Sequence, residues 1–362
     1  MKNIVKQSVL NVLPYVGGKP IEEVKREFGL KSVIKLASNE NPYPPSPKVL
    51  KAIEKAALDI NRYPDGSCFY LRQELAKRLE VNPAQIIFGN GSDEIIVMAA
   101  RAFVRPGDEV VIASPTFLIY KIASVLEDAN VKAIAVTPDF RYDLDAMLKA
   151  VTKKTRIVFL GNPDNPCGSY IPQKELEKFI KQLPTDVLIF IDEAYFEFVQ
   201  AKDYGNAISL VKKYQNVLVT RTFSKIYGLA GLRVGYGVAS IEVVSWLERL
   251  REPFNINSLA QAAALACLKD QPYYRKLAGQ VEKERQFLFR SFESLGLKFV
   301  KTYTNFILIR VEEDSSLVCR KLLEKGVIVR DMRAWGMEHY IRVSIGMPAE
   351  NKRLVKTLKE VL

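Results

Sequence analysis

Lys225 closes the apolar run "NVLVTRTFSK" and opens the segment "IYGLAGLRVGY", which carries Arg233 eight residues further on. A lysine amine ordinarily titrates at about 10.4, and it becomes a nucleophile when positive charge or desolvation lowers that value. Asp192 follows "VLIFI" and so sits near the core, where an ionised carboxylate needs a partner. That partner is either Lys225, in a structural ion pair, or a protonated ring nitrogen on a bound cofactor. The stretch "IIFGNGSDEII", residues 86–96, reads as a strand, a glycine turn and a helix start, with Ser92 as the N-cap. Such a helix end offers free N–H groups to an anion. Glu94 stands where a dinucleotide fingerprint has its third glycine, and Gly-Lys-Ser/Thr is absent, so the fitting anion is a single phosphate. Thr222, Ser224 and Arg233 add donors to it. A phosphate, a basic ring nitrogen and an aldehyde for Lys225 occur together in pyridoxal 5′-phosphate.

Those residues need strands to deliver them. The runs "QIIF", "EVVIAS", "VKAIAV", "TRIVFLG", "DVLIFID", "NVLVTRT" and "RVGYGVA" mostly lack polar alternation, as strands buried on both faces do. Helical patterns such as "SDEIIVMAARAFV" and "IPQKELEKFIKQL" separate them, which predicts an α/β domain with helices on both faces of a mainly parallel sheet. Ligands gather beyond the carboxyl ends of such strands, and Asn165, Asp192, Tyr195 and Lys225 all fall just past one. The last hundred residues, with a long polar helix and the strands "NFILIRV", "VIVRDM" and "YIRVSIG", read as a smaller α+β domain. The expected division is 1–44 as an N-terminal arm and part of the small domain, 45–260 as the large domain, and 261–362 as the small one.

Composition excludes more than it selects. The four cysteines show no CxxC spacing, which points away from a zinc site or disulfide framework and toward a reducing compartment. No apolar run reaches membrane-spanning length and no leader is evident, so the expected location is cytoplasmic. The formal charge of +12 is spread along the chain without a nucleic-acid-binding signature, and reads as a solvated surface. His339 is the single histidine, which leaves almost no material for Ser-His or Cys-His catalysis.

The segment "TRTFSKIYGLAGLRVGY" resembles the Schiff-base segment of fold-type-I aminotransferases. The whole chain is similar to the histidinol-phosphate aminotransferase family, with "PYVGGK", "NENPYPPSP", "RYPDG", "GNGSDE", "NPDNPCG", "DEAYFEF", "NFILIR" and "YIRVSIG" in the family's order. The resemblance implies the fold-type-I architecture and assigns roles. Lys225 holds pyridoxal phosphate as a Schiff base, Asp192 pairs with the pyridinium nitrogen, and Asn165 and Tyr195 bond the ring's phenolic oxygen. Ser92, the amide of Asp93, Thr222, Ser224 and Arg233 hold the phosphate. Phe117 stacks on the ring, in a position where many relatives have tyrosine. Tyr63 reaches the site of a partner subunit, which implies a homodimer. Where relatives often read NPNNPTG, this chain has Asp164 and Cys167, and Cys167 is given no role.

For substrate, the resemblance implies Arg342 as the carboxylate-binding arginine, shared between glutamate and the phosphorylated substrate. Arg330 is implied as a further arginine for the phosphate and Tyr15 as a third phosphate contact. Arg330 in a surface salt bridge with Asp331 or Glu338 is the competing expectation. The expected activity is amino transfer between glutamate and imidazole-acetol phosphate in histidine biosynthesis. An aromatic amino-acid aminotransferase, a threonine-phosphate decarboxylase and, from a different class, a cofactor-binding regulator of nucleic acid are the alternatives. Regulators on this scaffold carry an extra DNA-binding domain, and here the aminotransferase-like pattern begins almost at residue 1.

Overall fold

The computed structural model describes residues 4–14 and 17–362. In chain order its strands are β1 (Ile34–Lys35), β2 (Ile86–Gly89), β3 (Glu109–Ser114), β4 (Asn130–Ala135), β5 (Thr155–Gly161) and β6 (Leu188–Asp192). Then come β7 (Val217–Thr222), β8 (Gly235–Val238), β9 (Phe306–Arg310), β10 (Val327–Ile328), β11 (Arg330–Asp331) and β12 (Tyr340–Ser344). Seven strands form one sheet in the order β2-β8-β7-β6-β5-β3-β4, and β8 alone runs against the others. The seven apolar runs, most of which lack polar alternation, correspond to these seven strands, and only the edge strand β4 is not buried.

Both faces of the sheet are covered, and strand parity decides which side chain meets which core. Ile157, Phe159, Leu188, Phe190 and Leu218 point into one apolar cluster with the helix Ser92–Phe103. Their neighbours Val158, Leu160, Ile189, Ile191, Val217 and Val219 point into the other, larger cluster. Continuing the alternation past the last apolar residue places Asp192 and its register partner Thr220 on the first face, and Glu193 and Arg221 on the second.

A smaller antiparallel sheet, β11-β12-β9, carries Arg330 and Arg342 as register partners. Two-stranded β1-β10 ties the N-terminal segment to the C-terminal part through parallel pairing of Ile34 with Val327 and Lys35 with Ile328. The helix Gln271–Ser294 leads into this smaller unit. The helix Ser258–Leu268 runs through residue 260, and it packs on the helices Pro47–Ala56 and Phe69–Leu79 of the large unit. Of the long run "KFVKTYTNFILIRV", only Phe306–Arg310 is regular strand, with Phe299 in an isolated bridge to Ile309.

Candidate active site

Beyond the carboxyl ends of β3, β5, β6 and β7 lies a cavity of about 390 Å³. Ser92, Asp93, Phe117, Asn165, Asp192, Tyr195, Thr222, Ser224, Lys225, Arg233 and Arg342 all line it. Eleven residues spread over 250 positions of sequence are thus brought to one place by the sheet's connections.

The anion end is built by close backbone approach. Gly91 caps the helix Ser92–Phe103 with φ 83°, so Ser92 is the first helical residue and not the N-cap expected from sequence. A Cβ on Gly91 would overlap the Arg233 guanidinium, and one on Gly235 would lie 2.5 Å from the Ser92 nitrogen. Arg233 itself holds a left-handed backbone, φ 55°, and reaches the Ser224 hydroxyl at 3.4 Å and the Asp93 carboxylate at 3.4 Å. The Thr222 hydroxyl accepts from the Ser224 amide at 3.1 Å. Only glycine at 91 and 235 leaves room for this cradle of amides, hydroxyls and one guanidinium.

At the other end Asp192 is buried, and it accepts from three neutral donors. These are the Tyr120 hydroxyl at 2.9 Å, the Ala194 amide at 3.1 Å and the Thr220 hydroxyl at 3.4 Å. Burial pushes its carboxyl up to about 6, against the pull of the Tyr120 hydrogen bond. Such a group is primed for a cation to arrive. Lys225 Nζ lies 5.6 Å from the centre of the Tyr195 ring. The Tyr195 hydroxyl accepts from Asn39 Nδ2 at 3.0 Å, and Asn165 Oδ1 accepts from Arg342 Nη1. An amine, a buried acid, a phosphate cradle and a flat apolar wall at Phe117 fit the chemical handles of pyridoxal 5′-phosphate.

Arg330 does not line the cavity, but it is 92 % buried and lies directly across from Arg342. Asp331 instead accepts from Ser315 and Ser316, each at 2.6 Å, and Glu338 pairs with Arg333. Tyr63 is exposed and stacks on Phe254 with ring centres 4.8 Å apart, away from the cavity. Tyr15 lies outside the described residues. His339 is exposed. Cys167 is buried against Met332 and Leu308, and its thiol is pushed well above the ordinary range by burial.

Sequence reasoning missed three contributors. Tyr120 sits three residues past Phe117, where helical spacing could have placed both on the same side. Asn39 opens the quoted motif "NENPYPPSP" but was given no role; its backbone is left-handed, φ 54°, and it also bonds Ser344 and Asn305. Trp335 lines the cavity from a single turn after β11 and carried no local signal at all.

Comparison with known proteins identifies the family. Residues 31–358 match the family model described as aminotransferase class I and II. The chain is 48% identical to the histidinol-phosphate aminotransferase of Moorella thermoacetica, over 99% of this chain and 92% of that one. It is 44% identical to histidinol-phosphate aminotransferase 2 of Carboxydothermus hydrogenoformans, over 99% of each. The crystal structure of histidinol-phosphate aminotransferase from Sinorhizobium meliloti in complex with pyridoxal 5′-phosphate superposes with a TM-score of 0.90 at 31% identity, covering 98% of this chain and 97% of that one. The chain therefore belongs to the class I and II aminotransferases, within the histidinol-phosphate aminotransferase family.

Proposed function

We propose that this protein transfers an amino group between glutamate and imidazole-acetol phosphate, making histidinol phosphate for histidine biosynthesis. The observation that carries the reading is that Lys225, Asp192 and the Ser92–Ser224–Arg233 cradle meet Arg342 in one cavity, with Arg330 beside it. Relatives covering nearly the whole chain carry that activity in their names.

Pyridoxal 5′-phosphate would supply an aldehyde and an electron-withdrawing ring at this site. Lys225 would hold it covalently through Nζ, and the same Nζ, once free, would take the Cα proton of the amino donor and carry it for return. Asp192 sets its negative charge against the ring nitrogen. Asn165 and Tyr195 bond the ring oxygen, and Phe117 covers a face. Ser92, the amide of Asp93, Thr222, Ser224 and Arg233 anchor the phosphate. Arg342 grips the glutamate carboxylate, and Arg330 with Arg342 grips the substrate phosphate, with Tyr15 as a further contact; two guanidiniums suit a dianion better than a monoanion.

A homodimer belongs to the same reading, with Tyr63 reaching the second site. Leu58, Ile60, Tyr63, Phe69 and Tyr70 are exposed apolar side chains within one short stretch of chain, the kind of surface a partner covers. A cytoplasmic location is supported by free thiols at Cys68, Cys167, Cys267 and Cys319, and no helix among the described residues is long and apolar enough to cross a membrane. We assign 1–44 to the arm and part of the small domain, 45–260 to the large domain and 261–362 to the small one, with the helix Ser258–Leu268 crossing that last boundary and packing on the large unit.

The test is a half-reaction. Cofactor-loaded protein is mixed with histidinol phosphate, phenylalanine or threonine phosphate, and the cofactor's absorbance is followed. Histidinol phosphate should convert the spectrum far more readily than phenylalanine, and threonine phosphate should release no carbon dioxide. Arg330→Ala should weaken histidinol phosphate by roughly 10- to 100-fold, the cost of charge-assisted hydrogen bonds. Equal losses for phenylalanine would remove Arg330 from phosphate recognition.

A further inference from the structure

Resting on the reading of the site as one for a phosphorylated amine, we propose that Trp335 is a specificity-determining residue. Its indole holds Arg330 and Arg342 side by side as a receptor for a dianionic phosphate monoester.

Arg330 and Arg342 are register partners on the neighbouring antiparallel strands β11 and β12. Like charges directly opposite one another repel, and burial to 8 % and 4 % exposure takes away most of the water that would screen them. Asn165, the Ala37 carbonyl at 3.2 Å and the Phe306 ring 5.1 Å away hold Arg342, and the repulsion between the two guanidiniums acts against them. Trp335 counters this with its ring: the Arg330 guanidinium carbon lies 5.1 Å from the ring centre and that of Arg342 lies 5.8 Å away. Both fall within the distance at which the negative face of an indole attracts a cation. One ring therefore attracts two cations that repel each other.

The indole is itself fixed from across the cleft. Trp335 Nε1 donates to the Thr116 carbonyl at 2.8 Å, and the Thr116 hydroxyl donates to Asp164 Oδ1 at 2.7 Å. Asp164 directly precedes Asn165, whose side-chain oxygen accepts from Arg342. The contacts close into a ring: Arg342, Asn165, Asp164, Thr116, Trp335 and back to Arg342. This ring joins the small sheet to the loops after β3 and β5, so the spacing of the two guanidiniums is set by both units together. It also gives the departure at Asp164 a task, since that carboxylate is the acceptor that holds Thr116.

The consequence is unequal for the two substrates. A carboxylate needs the fork of Arg342 alone, whereas a phosphate monoester draws on both arginines in fixed relation. Losing the indole should therefore raise the requirement for the phosphorylated amine more than for glutamate.

The experiment uses the full-length, cofactor-loaded protein and the variants Trp335→Phe and Trp335→Leu. Steady-state KM is measured separately for histidinol phosphate and for glutamate, with thermal unfolding as a check on folding. Trp335→Leu, which has no aromatic face, should raise the histidinol phosphate KM by about tenfold and the glutamate KM by a smaller factor. Trp335→Phe keeps a face but loses the bond to Thr116, and should fall between wild type and Trp335→Leu. Inhibition by inorganic phosphate should weaken in the same order. Equal rises in both KM values, or none in either, overturn the inference while leaving the proposed function standing. A wild-type enzyme that does not turn over histidinol phosphate overturns both.

Discussion

Asp192 and Glu193 are consecutive buried acids at the end of one strand, and they lead opposite lives. Glu193 meets Arg221 on the second face of the sheet at 2.7 and 2.9 Å, while its other oxygen accepts from the Ala207 amide at 3.1 Å. Arg221 also bonds Asn206 at 2.7 Å and lies 3.4 Å from the centre of the Phe196 ring. Burial pushes the Glu193 carboxyl upward and Arg221 opposes that push. Asp192, one residue earlier and on the other face, accepts from neutral donors only among the described residues and is pushed up to about 6. The first pair is electrostatically complete and serves the fold. The second acid is left to be completed by a ligand. Side-chain alternation along β6 and β7 is what separates them.

The largest effect should come from Lys225→Ala on the ligand side. Removing the amine would delete both the proposed covalent hold and the proposed proton carrier, so turnover should fall by about 10,000-fold. Borohydride should then fix no cofactor to the chain. Turnover within tenfold of wild type would end the assignment.

The next test breaks the comparison at its own two acids. Glu193→Gln leaves the buried Arg221 without its counter-charge and should cost about 3–5 kcal/mol in urea unfolding, while the folded fraction keeps its turnover within a few-fold. Asp192→Asn should do the reverse. It lowers kcat by about 100- to 1,000-fold, as loss of one well-placed electrostatic contact does, and leaves stability equal or slightly improved because a buried charge is gone. If Asp192→Asn unfolds the protein and Glu193→Gln silences a folded one, the two roles have been assigned backwards.

The sequence carried the ligand-facing side of this comparison well and the other side hardly at all. Largely apolar runs revealed the large-sheet strands because most of them are buried on both faces, the edge strand β4 being the exception, and the chemical residues sit at the strand ends where such sheets collect ligands. Glu193 and Arg221 were written into the quoted motifs "DEAYFEF" and "VTRTFSK", yet nothing local says that residues 28 apart face each other; only the β6–β7 register does. Trp335 was invisible for a similar reason, since its partners Thr116, Arg330 and Arg342 belong to three different strands or loops. The cap falls at Gly91 and not at Ser92, the commoner cap type, because here the close approach of Arg233 demands glycine.

A third buried acid sharpens the contrast. Asp164 accepts from Tyr142 at 2.6 Å and Thr116 at 2.7 Å, and burial pushes it up to about 6. Because its folded value is raised, the stability it contributes is full below its unfolded pKa near 4 and is lost as pH rises through about 6. Asp164→Asn keeps the acceptor oxygen and removes the titration. Wild type should lose about 3 kcal/mol relative to this variant between roughly pH 4 and pH 7, measured by urea unfolding of the cofactor-free protein. Parallel stability curves for the two would show that Asp164 does not titrate in that range.

Tyr120 gives the smallest and most local test. Its hydroxyl is the closest donor to Asp192, and its ring stacks on Phe159 with centres 4.9 Å apart. Tyr120→Phe keeps the stack and deletes only the donor. That hydrogen bond holds the Asp192 carboxyl down, so its removal must move the carboxyl further up. In the cofactor-free protein, the pH through which urea-unfolding stability falls should shift upward by about one unit, the worth of a hydrogen bond to a charged group. A drop of equal size at every pH would mean that Tyr120 shapes the pocket without tuning the acid. Asp192 would then depend on Ala194 and Thr220 alone, and the contrast with Glu193 would rest on alternation without help from the neighbouring helix.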